Sequence, residues 1–525
     1  MNLIIDRWIP ARRQSGKTER IAPYQIAEMD DPVVDLDAPR PDFQGALDQF
    51  LIGLLQTTYA PKDDEEWDER FESPDIDDLK AAFMFLESAM NLHNSEGPAF
   101  LQELGELEEA AKSVSFLLID APGEITVKEN RDHFVKDIHE TGFCFSCTAS
   151  ALFTVQTNSP AGGPGFRVGL RGGGPLTTLL IPESPDATLW QKLWLNVQVL
   201  EDGKMPAADN PLDSTVLPWM GPTRISDKKG KDTRPEDGHP LQMYWGMPRR
   251  IRLEEPDKKG TCSLCGAEDQ PLVSAFRTKN YGTNYTDYWI HPLTPFRYDP
   301  KQKNPPLSLK GQQGGLGYRH WIGLALGTAE NGDTPATVVD VNQEMLKDDN
   351  LRLRLWCFGY DMDNMKARCW YEQTFPVLTC DDKRREQLLD YAAELIELSQ
   401  SAVKSLRGQV KEAWFSRPKD AKGDISFIEA EFWQNTELRF FDTAEALGKL
   451  EVSQAADPSL MRAWQTHVLS TAMDTFDRWT LESNPEDLNL KRIMKARKKL
   501  QNFIAGGKVW KRYNERYPLE QEDIA

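Results

Sequence analysis

Four of the seven cysteines form two CxxC pairs, Cys144 with Cys147 and Cys262 with Cys265. Two residues between cysteines allow both thiolates to reach one tetrahedral metal ion from a tight turn. Residues 148–261 separate the pairs, which is more than in an ordinary zinc ribbon, so four unrelated thiols are the alternative. A site closed by four cysteines leaves no coordination position for water. The pattern therefore predicts one structural zinc ion.

A glycine-rich stretch, 161–174, is the second candidate site. Gly162, Gly163 and Gly165 carry no side chain, so the backbone there can approach a ligand closely. A phosphate cradle of a nucleotide enzyme is disfavoured, because no lysine or helix start follows the glycines in register. The sequence leaves two explanations, a backbone contact with a ligand and a flexible loop or bulge.

Two shorter segments hold further candidate residues, whose roles the residue types alone do not indicate. Arg277, Lys279 and Asn280 lie downstream of the second cysteine pair. Asn364 and Met365 stand side by side among turn-forming residues. Taken alone, the two segments are explained by an exposed basic surface and by ordinary turn chemistry.

The end of the chain is strongly basic, although the whole chain has a net charge of −20. Four lysines recur there at spacings of three or four residues, so they are predicted to share one broad helix face. They are Lys491, Lys495, Lys498 and Lys499. The residues predicted to point inward are Leu490, Met494, Leu500 and Ile504. We expect the lysines to contact nucleic-acid phosphates or an acidic neighbouring subunit, with a solvated surface helix as the alternative.

The sequence has two regions with different predicted secondary structure. Short β-like runs, turns and scattered helices fill the first region, and apolar residues at helical spacing dominate the second. The predicted elements are strands at 3–5 and 115–119, a buried helix at 50–59, and later helices at about 388–406, 425–447 and 457–481 and from Pro485. The fold class is predicted as α+β, with a mixed α/β N-terminal globular domain (1–380) followed by a C-terminal four-helix bundle (381–525).

The length and composition set outer limits on the function. A chain of 525 residues is too long for one core, and 40% apolar residues suffice for a sizeable interior. No run of about 18 apolar residues occurs and the N-terminus lacks the apolar region of a signal peptide, so a cytoplasmic protein without a membrane span is expected. The negative net charge disfavours wrapping nucleic acid around the whole surface but allows a local basic groove.

Residues 1–10, Met-Asn-Leu-Ile-Ile-Asp-Arg-Trp-Ile-Pro, resemble the start of the CasA family, the large subunits of the type I-E CRISPR Cascade complex. Similar stretches occur at 60–67, 98–102 and 169–173, and their order and spacing are more specific than any one of them. The resemblance implies a non-enzymatic subunit of an RNA-guided complex. It also implies that the cysteine pairs tie two distant segments together.

The resemblance assigns roles to the remaining candidate segments. In that family the glycine loop follows the minor groove of the protospacer-adjacent motif (PAM), a lysine enters the same groove, and an amide wedge acts just past the PAM. The chain departs from this pattern at three places. Pro164 interrupts the glycine loop, the family's lysine aligns with Asn280 rather than with the neighbouring Lys279, and Asn364 replaces a longer glutamine.

The resemblance also implies the partners. These are the other Cascade subunits, a guide crRNA, double-stranded target DNA and a helicase–nuclease effector. The loop 116–143 resembles the one that anchors this subunit near the 5′ handle of the guide RNA. The alternative from another class is a stand-alone zinc-containing hydrolase or nuclease. Such a protein needs an open metal site with His or carboxylate ligands, and the sequence has no motif for one.

Overall fold

The structure is a computed structural model that divides into two compact units. The first comprises Met1–Gly311 and Ala329–Thr374, and the second comprises Gln312–Thr328 and Phe375–Ala525. The described residues are 1–122, 129, 142–163, 165–201, 204–227, 231–256, 258–301, 303–311, 313–328, 332–345, 351–363, 365–378, 382–420, 422–482 and 489–518.

The strands of the described residues form small sheets of two or three strands each. The strands are β1 Ile9–Arg13, β2 Thr18–Ile21, β3 Val33–Leu36, β4 Lys112–Ser113, β5 Thr177–Pro182, β6 Arg250–Leu253, β7 Lys258–Gly260, β8 Gln270–Leu272, β9 Ala275–Lys279, β10 Phe296–Arg297, β11 Leu307–Ser308, β12 Asp333–Thr334, β13 Leu353–Asp363 and β14 Lys366–Pro376. Hydrogen bonds join them in the orders β2-β1-β3, β4-β9-β6, β7-β8, β11-β10-β12 and β14-β13-β5.

The longest helix of the first unit confirms the helix predicted at 50–59 and extends it towards the N-terminus. The helices of this unit are α1 Pro41–Thr58, α2 Asp64–Glu72, α3 Ile76–Met84, α4 Phe145–Asn158, α5 Leu189–Trp194 and, within Ala329–Thr374, a later helix at Thr337–Met345. The longest, α1, begins at Pro41, where the fixed φ of proline suits the first turn and no donor is lost.

An aromatic cluster forms the centre of the first unit. The ring of Phe50 on α1 lies edge-on to Trp8, Phe100, Phe153 and Trp245, with centroid distances of 5.5, 5.8, 5.9 and 5.9 Å. Edge-to-face packing is a favoured arrangement of aromatic rings because it pairs the positive edge with the negative face. Because Phe153 belongs to α4, the cluster fixes the helix whose N-terminal end carries the first cysteine pair.

Both short strands predicted before residue 120 are wrong. At 3–5 the chain turns, because the Asn2 side-chain oxygen accepts hydrogen bonds from the backbone N–H of Ile4 and Ile5. A 3-10 helix covers Val114–Leu117, and the Ser113 hydroxyl accepts from the N–H of Ser115 at its start. Side chains that bond to nearby backbone groups compete with strand pairing. Most of the loop 116–143 lies outside the described residues.

The C-terminal helices confirm the predicted α+β fold class with its helical bundle. Helices are numbered in chain order, so the helix at Thr337–Met345 in the first unit is α7. The helices of the second unit are α6 Trp321–Ala325, α8 Asp382–Trp414, α9 Ser426–Gly448, α10 Pro458–Leu481, α11 Leu490–Ala505 and α12 Lys508–Arg516. Asp457 caps α10 as predicted, by accepting from the Ser459 N–H at 2.8 Å. No helix among the described residues is both long and apolar enough to cross a membrane.

Pro485, the predicted start of the fourth long helix of the bundle, lies outside the described residues. The helix α11 begins at Leu490, and Asn489 is its cap. The basic segment also continues after Gly506 and Gly507 as the separate helix α12. Glycines at a helix end favour such a break, because they end a helix more readily than they continue it. The bundle therefore has a short additional helix that the sequence pattern did not indicate.

The second unit includes a segment that is distant in sequence, Gln312–Thr328. Tyr318 in this segment stacks on Phe440 of α9 at a centroid distance of 4.2 Å. Its hydroxyl lies 3.0 Å from the Thr436 hydroxyl, and the indole of Trp321 donates to the carbonyl of Pro376 at 2.9 Å. Buried aromatic rings with satisfied polar atoms explain why this segment packs with the helices.

Candidate metal centre and nucleic-acid interface

The two cysteine pairs meet in the first unit. The four Sγ atoms of Cys144, Cys147, Cys262 and Cys265 all lie within 4.8 Å of one another. Cys144 Sγ and Cys265 Sγ are 3.7 Å apart. A tetrahedral zinc ion with Zn–S bonds of about 2.3 Å places its sulfur ligands about 3.8 Å apart. The four thiols therefore have the chemistry and the spacing of a closed four-cysteine metal site.

Local backbone structure presents each cysteine pair. Cys144 is the N-cap of α4 and Cys147 lies in the first turn, where unpaired backbone N–H groups favour negative charge. The second pair lies in a tight turn, in which Gly266 takes φ 70° and donates from its N–H to the Cys262 carbonyl at 3.0 Å. Such a left-handed conformation suits glycine, because a side chain would meet the backbone.

Backbone hydrogen bonds tie the two cysteine segments to each other. Phe143 and Val273 exchange two of them, at 3.0 and 2.9 Å. The Ser263 N–H donates to the Gly142 carbonyl at 3.0 Å, and the Cys144 N–H donates to Cys262 Sγ at 3.3 Å. N–H donors stabilise thiolate sulfur by partly offsetting its charge. The pairs thus approach each other through main-chain contacts that the CxxC spacing could not reveal.

Arg20 on β2 also contacts the cysteine cluster. Its guanidinium Nη2 lies 3.7 Å from Cys144 Sγ and 3.8 Å from Cys265 Sγ. Within the cluster, hydrogen bonds with the Cys144 thiol shift the pKa values of two other thiols in opposite directions. The pKa of Cys265 is lowered to about 6, and the pKa of Cys147 is raised. No local sequence pattern indicates Arg20, because its approach to the cysteines depends on how the β1–β2 hairpin packs.

The structure brings the glycine loop into contact with the end of β9. Gly163 and Gly165 take φ of 102° and 78°, a region that glycine enters without strain. The Tyr281 N–H donates to the Gly165 carbonyl at 2.7 Å. A Cβ atom added at Gly165 would lie 2.9 Å from the Cβ of Asn280, so this position excludes a side chain. Pro164, between these two glycines, lies outside the described residues.

The basic side chains at the end of β9 are held by carboxylates. Lys279 Nζ lies 2.8 Å from Glu109 Oε1, and this contact lowers the pKa of the Glu109 carboxyl. Arg277 pairs with Glu254 and donates to the Glu109 carbonyl at 2.7 Å. The side chain of Lys279 is 45% exposed against 34% for Arg277. Lys279 is therefore the candidate that can leave its partner with less rearrangement.

Further basic residues, which the sequence analysis missed, surround the glycine loop. Arg249 donates to the Arg167 carbonyl at 2.8 Å, and burial lowers the pKa of its guanidinium to about 10. The ring of Phe166 lies 5.1 Å from the Arg249 guanidinium and 6.0 Å from Lys112 Nζ. Arg167 donates to Ser226 Oγ at 2.7 Å. Because these partners come from distant positions in the sequence, no local motif could have identified them.

The segment that contains Met365 is the tip of a long hairpin formed by β13 and β14. Met365 is 56% exposed, and Asn364 lies outside the described residues. The hairpin packs against the second half of the glycine-rich stretch, because a Cβ added at Gly174 would lie only 2.6 Å from Met362 Cγ. Arg368 on β14 forms a bidentate pair with Asp361 on β13, at 3.0 and 2.7 Å. The end of the hairpin close to its tip is thus fixed beside the glycine-rich stretch.

In the second unit, the four predicted tail lysines do not share one exposed face. Lys491, Lys495 and Lys498 are exposed. Lys499 instead lies 2.6 Å from Glu412 on α8 and is partly buried. The prediction of one broad lysine face therefore holds for three of the four residues.

The predicted inward face of α11 was half wrong. Leu500 and Ile504 are buried, but Leu490 and Met494 are 59% and 54% exposed. The buried residues of α11 are Ile493, Ala496, Leu500 and Ile504. Their spacing of three and four residues defines one helix face, and Met494 lies about 100° away from Ile493 around the helix axis.

A comparison with known families shows to which family the chain belongs. The sequence matches the family described as CRISPR-associated protein Cse1 over residues 2–475. The chain belongs to the Cse1 family. A solved structure from Thermus thermophilus is named CasA (Cse1), which joins the two names and confirms the resemblance stated from the sequence. It is 18% identical to this chain, covers 96% of this chain and 99% of its own length, and gives a TM-score of 0.67.

Two other solved structures share the fold. Cse1 from Acidimicrobium ferrooxidans is 17% identical, with 99% of each chain covered and a TM-score of 0.68. A chain of a structure described as a CRISPR RNA-guided surveillance complex is 16% identical. That match covers 96% of this chain and 99% of the other, with a TM-score of 0.65. At such identities the structures show a common Cse1 architecture.

Proposed function

We propose that this Cse1-family chain is the non-catalytic large subunit of a Cascade-type CRISPR complex, where it binds the PAM in double-stranded DNA and starts duplex opening. The observation that carries the proposal is the junction between the glycine loop and the end of β9, where the Gly165 carbonyl meets the Tyr281 N–H at 2.7 Å. Guide-RNA pairing would then supply sequence specificity, as in other RNA-guided effectors. The similar chain in an RNA-guided surveillance complex supports crRNA and other subunits as partners.

The geometry of this junction suits a minor groove. A groove about 6 Å wide admits backbone and thin side chains but no helix. Gly163 and Gly165 provide backbone without side chains, and Lys279 provides a cation that can enter the groove. Because the minor groove separates A·T from G·C pairs but not their orientation, such a reader tolerates several PAM sequences.

The β13–β14 hairpin is the proposed wedge. Its strands are 11 residues each, and the Arg368–Asp361 pair joins them close to the tip. A tip that is braced in this way can be pushed between base pairs, which costs a few kcal/mol of stacking per step. Asn364 and Met365 are the proposed tip residues. The contact of the loop 116–143 with guide RNA and the recruitment of a helicase–nuclease effector are proposed on the family resemblance.

Target binding by the assembled complex tests the DNA role. Lys279→Ala should weaken binding to duplexes with a suitable PAM, whereas Lys259→Ala, at an exposed lysine of β7, should not. Replacing Asn364 and Met365 with glycines should slow opening of an intact duplex and leave binding to a pre-melted target unchanged, since the wedge acts only on paired DNA. Equal defects on both targets would refute the wedge, and equal effects of the two lysine variants would refute the groove contact.

The cysteine cluster is proposed to hold one structural zinc ion. Bound zinc would cross-link the segments at 142–147 and 262–267, and such cross-links contribute to folding free energy. Metal analysis of the purified chain should find zinc, and Cys262→Ser with Cys265→Ser should remove it and destabilise the fold. The matched control is Cys369→Ser, at an exposed cysteine outside the cluster. Absent zinc, or full zinc content in the double variant, would contradict the proposal.

The stand-alone hydrolase or nuclease needs an open metal site. Among the residues that the structure describes, the one cluster suited to a metal is the four-cysteine set, which leaves no position for water. Co-purification separates the two functions, because a Cascade subunit is expected to travel with RNA and partner subunits and a stand-alone enzyme is not.

A further inference from the structure

The second unit contains a cationic pocket that is separate from all the sites above. It has a volume of about 520 Å³ and lies between α8, α9 and the 3-10 helix at Tyr318–His320. The charged and aromatic residues that line it are Arg319, Lys404, Arg407, Lys411, Glu429 and Trp433. Sites of a few hundred Å³ are typical of small ligands.

Three of the cations follow one face of α8. Lys404, Arg407 and Lys411 are spaced by three and four residues, where like charges repel and weaken a helix. Arg407 is balanced by Glu429 at 2.7 Å. For Lys404 and Lys411, no carboxylate among the described residues lies within ion-pair distance. Four cations and one carboxylate thus face the pocket of a chain whose net charge is −20.

Arg319 brings another charge from the opposite wall. Its guanidinium lies 5.3 Å from the Trp433 ring, and its Nε donates to His320 Nε2 at 3.2 Å. Burial lowers the pKa of Arg319, so its charge is not fully compensated by solvent. An anion in the pocket would stabilise this partly buried cation.

Gly408, which forms the floor of the pocket, and Trp433, which forms an aromatic wall, leave space for a ligand. A Cβ atom added at Gly408, between Arg407 and Lys411, would meet no atom within 4 Å. Trp433 is buried and supplies the aromatic wall, with its ring 5.3 Å from the Arg319 guanidinium.

We propose that this pocket binds a phosphate ester with an apolar or aromatic body, of the nucleotide class. A phosphate carries about −1.5 to −2 charges at neutral pH, which matches the excess of cations better than one carboxylate does. Lys404, Lys411 and Arg319 would bind the phosphate, and the body would lie against Val403 and Trp433. Inorganic phosphate alone would leave most of the volume unfilled. The proposal does not depend on DNA recognition, because every residue involved belongs to the second unit.

Calorimetric titration of the full chain tests the site with ATP, AMP, adenosine, inorganic phosphate and a single-stranded oligonucleotide. ATP should bind, with an affinity that falls as salt rises, and adenosine should not bind. Lys404→Ala and Lys411→Ala should each weaken ATP binding by about tenfold, because each removes a charge-assisted hydrogen bond. Gly408→Asp, which adds a negative charge at the floor, should abolish binding. Lys508→Ala, at an exposed lysine on α12, should have no effect.

Three outcomes would overturn this assignment. The pocket is not a ligand site if none of the probes binds. ATP binding that survives both lysine variants and Gly408→Asp would place the nucleotide elsewhere. Oligonucleotide binding that depends on Lys404 and Lys411, without any binding of ATP or AMP, would assign the pocket to the phosphates of a strand instead of a small ligand.

Discussion

Glu109 sets the charge that the end of β9 presents to a ligand. Its carboxylate pairs with Lys279 at 2.8 Å, and its backbone carbonyl accepts from Arg277. The contact with Lys279 lowers the pKa of the Glu109 carboxyl, which is ionised at neutral pH, so a phosphate at the proposed DNA contact would have to compete with it for the lysine. An exposed ion pair of this kind is worth up to about 1 kcal/mol, which phosphate contacts can overcome.

Glu109→Gln should therefore increase the affinity of the assembled complex for a PAM-containing duplex by up to about fivefold, because it releases Lys279 from the competing carboxylate. Equilibrium binding at fixed salt measures the effect. Glu108→Gln is the matched control, since it changes the net charge equally at an exposed neighbour. If both variants gain alike, or if Glu109→Gln still gains affinity when Lys279 is alanine, release of the lysine is not the cause.

Arg20 also forms a contact between opposite charges, because its cation lies next to the sulfur atoms of the cysteine cluster. Four thiolates around one divalent ion leave a net negative charge, and a guanidinium 3.7–3.8 Å from two of the sulfurs offsets part of it. Outer contacts of this kind orient metal ligands and tune their affinity.

Arg20→Ala should raise the rate of zinc loss to a colorimetric chelator by about 10–100-fold, the usual size of such outer effects. Arg20→Lys should give an intermediate rate because it keeps the charge but not the fork of donors. Arg12→Ala, at an exposed arginine of the neighbouring strand β1, serves as the control. An unchanged rate in Arg20→Ala would show that the contact is incidental.

At the scale of elements, two helical glycines illustrate how packing decides the effect of the same substitution. Gly408 on α8 faces open space, whereas a Cβ atom at Gly45 on α1 would lie 2.5 Å from Cε2 of the Phe358 ring. Glycine weakens a helix by roughly 0.5–1 kcal/mol relative to alanine, and overpacking a core typically costs about 1–3 kcal/mol. Sequence alone gives both positions the same helix propensity.

Gly408→Ala should stabilise the second unit by about 0.5–1 kcal/mol, and Gly45→Ala should destabilise the first unit by about 1–3 kcal/mol. Native-state hydrogen exchange of the amides in α8 and α1 measures each unit by itself, which a single melting curve of a two-unit chain does not. Changes of the same sign in both helices would contradict this account of their packing.

For the whole molecule, the distribution of charge matters more than its sum. The net charge is −20, yet α11 and α12 concentrate basic residues, and the structure divides these between two roles. Arg497 pairs with Asp477 at 2.7 and 2.8 Å, and Arg492 donates to the carbonyls of Ala413 and Trp414. These cations support the bundle, while Lys491, Lys495 and Lys498 remain exposed to solvent.

Reversal of Lys491, Lys495 and Lys498 to Glu tests the exposed set without breaking the Lys499–Glu412 pair. A phosphate contact predicts weaker target binding with a flatter salt dependence, and a subunit contact predicts loss of the chain from the purified complex. The control reverses Lys419, Lys422 and Lys449, which changes the net charge equally at other exposed positions of the same unit. Unchanged assembly, target binding and effector recruitment would leave these lysines as solvated surface.

The sequence predicted the elements whose causes are local. The long C-terminal helices followed from apolar residues at helical spacing, and the start of α10 followed from Asp457 and Pro458. The same reasoning failed for the strand predicted at 3–5, where the Asn2 side chain closes a turn. It failed again for Met494, since α11 has apolar residues on two faces and only the neighbouring helices select Ile493 for burial.

The sequence by itself determined the chemistry available to this protein: two cysteine pairs, a run of glycines, a hairpin tip and a basic tail. Tertiary structure alone decided which charges and donors meet. It placed Arg20 beside the sulfurs, Glu109 on Lys279, Tyr281 on the Gly165 carbonyl and Glu412 on Lys499. The physical reason is that spacing along a chain controls contacts within a turn or two, whereas partners distant in sequence are selected by how buried surfaces pack.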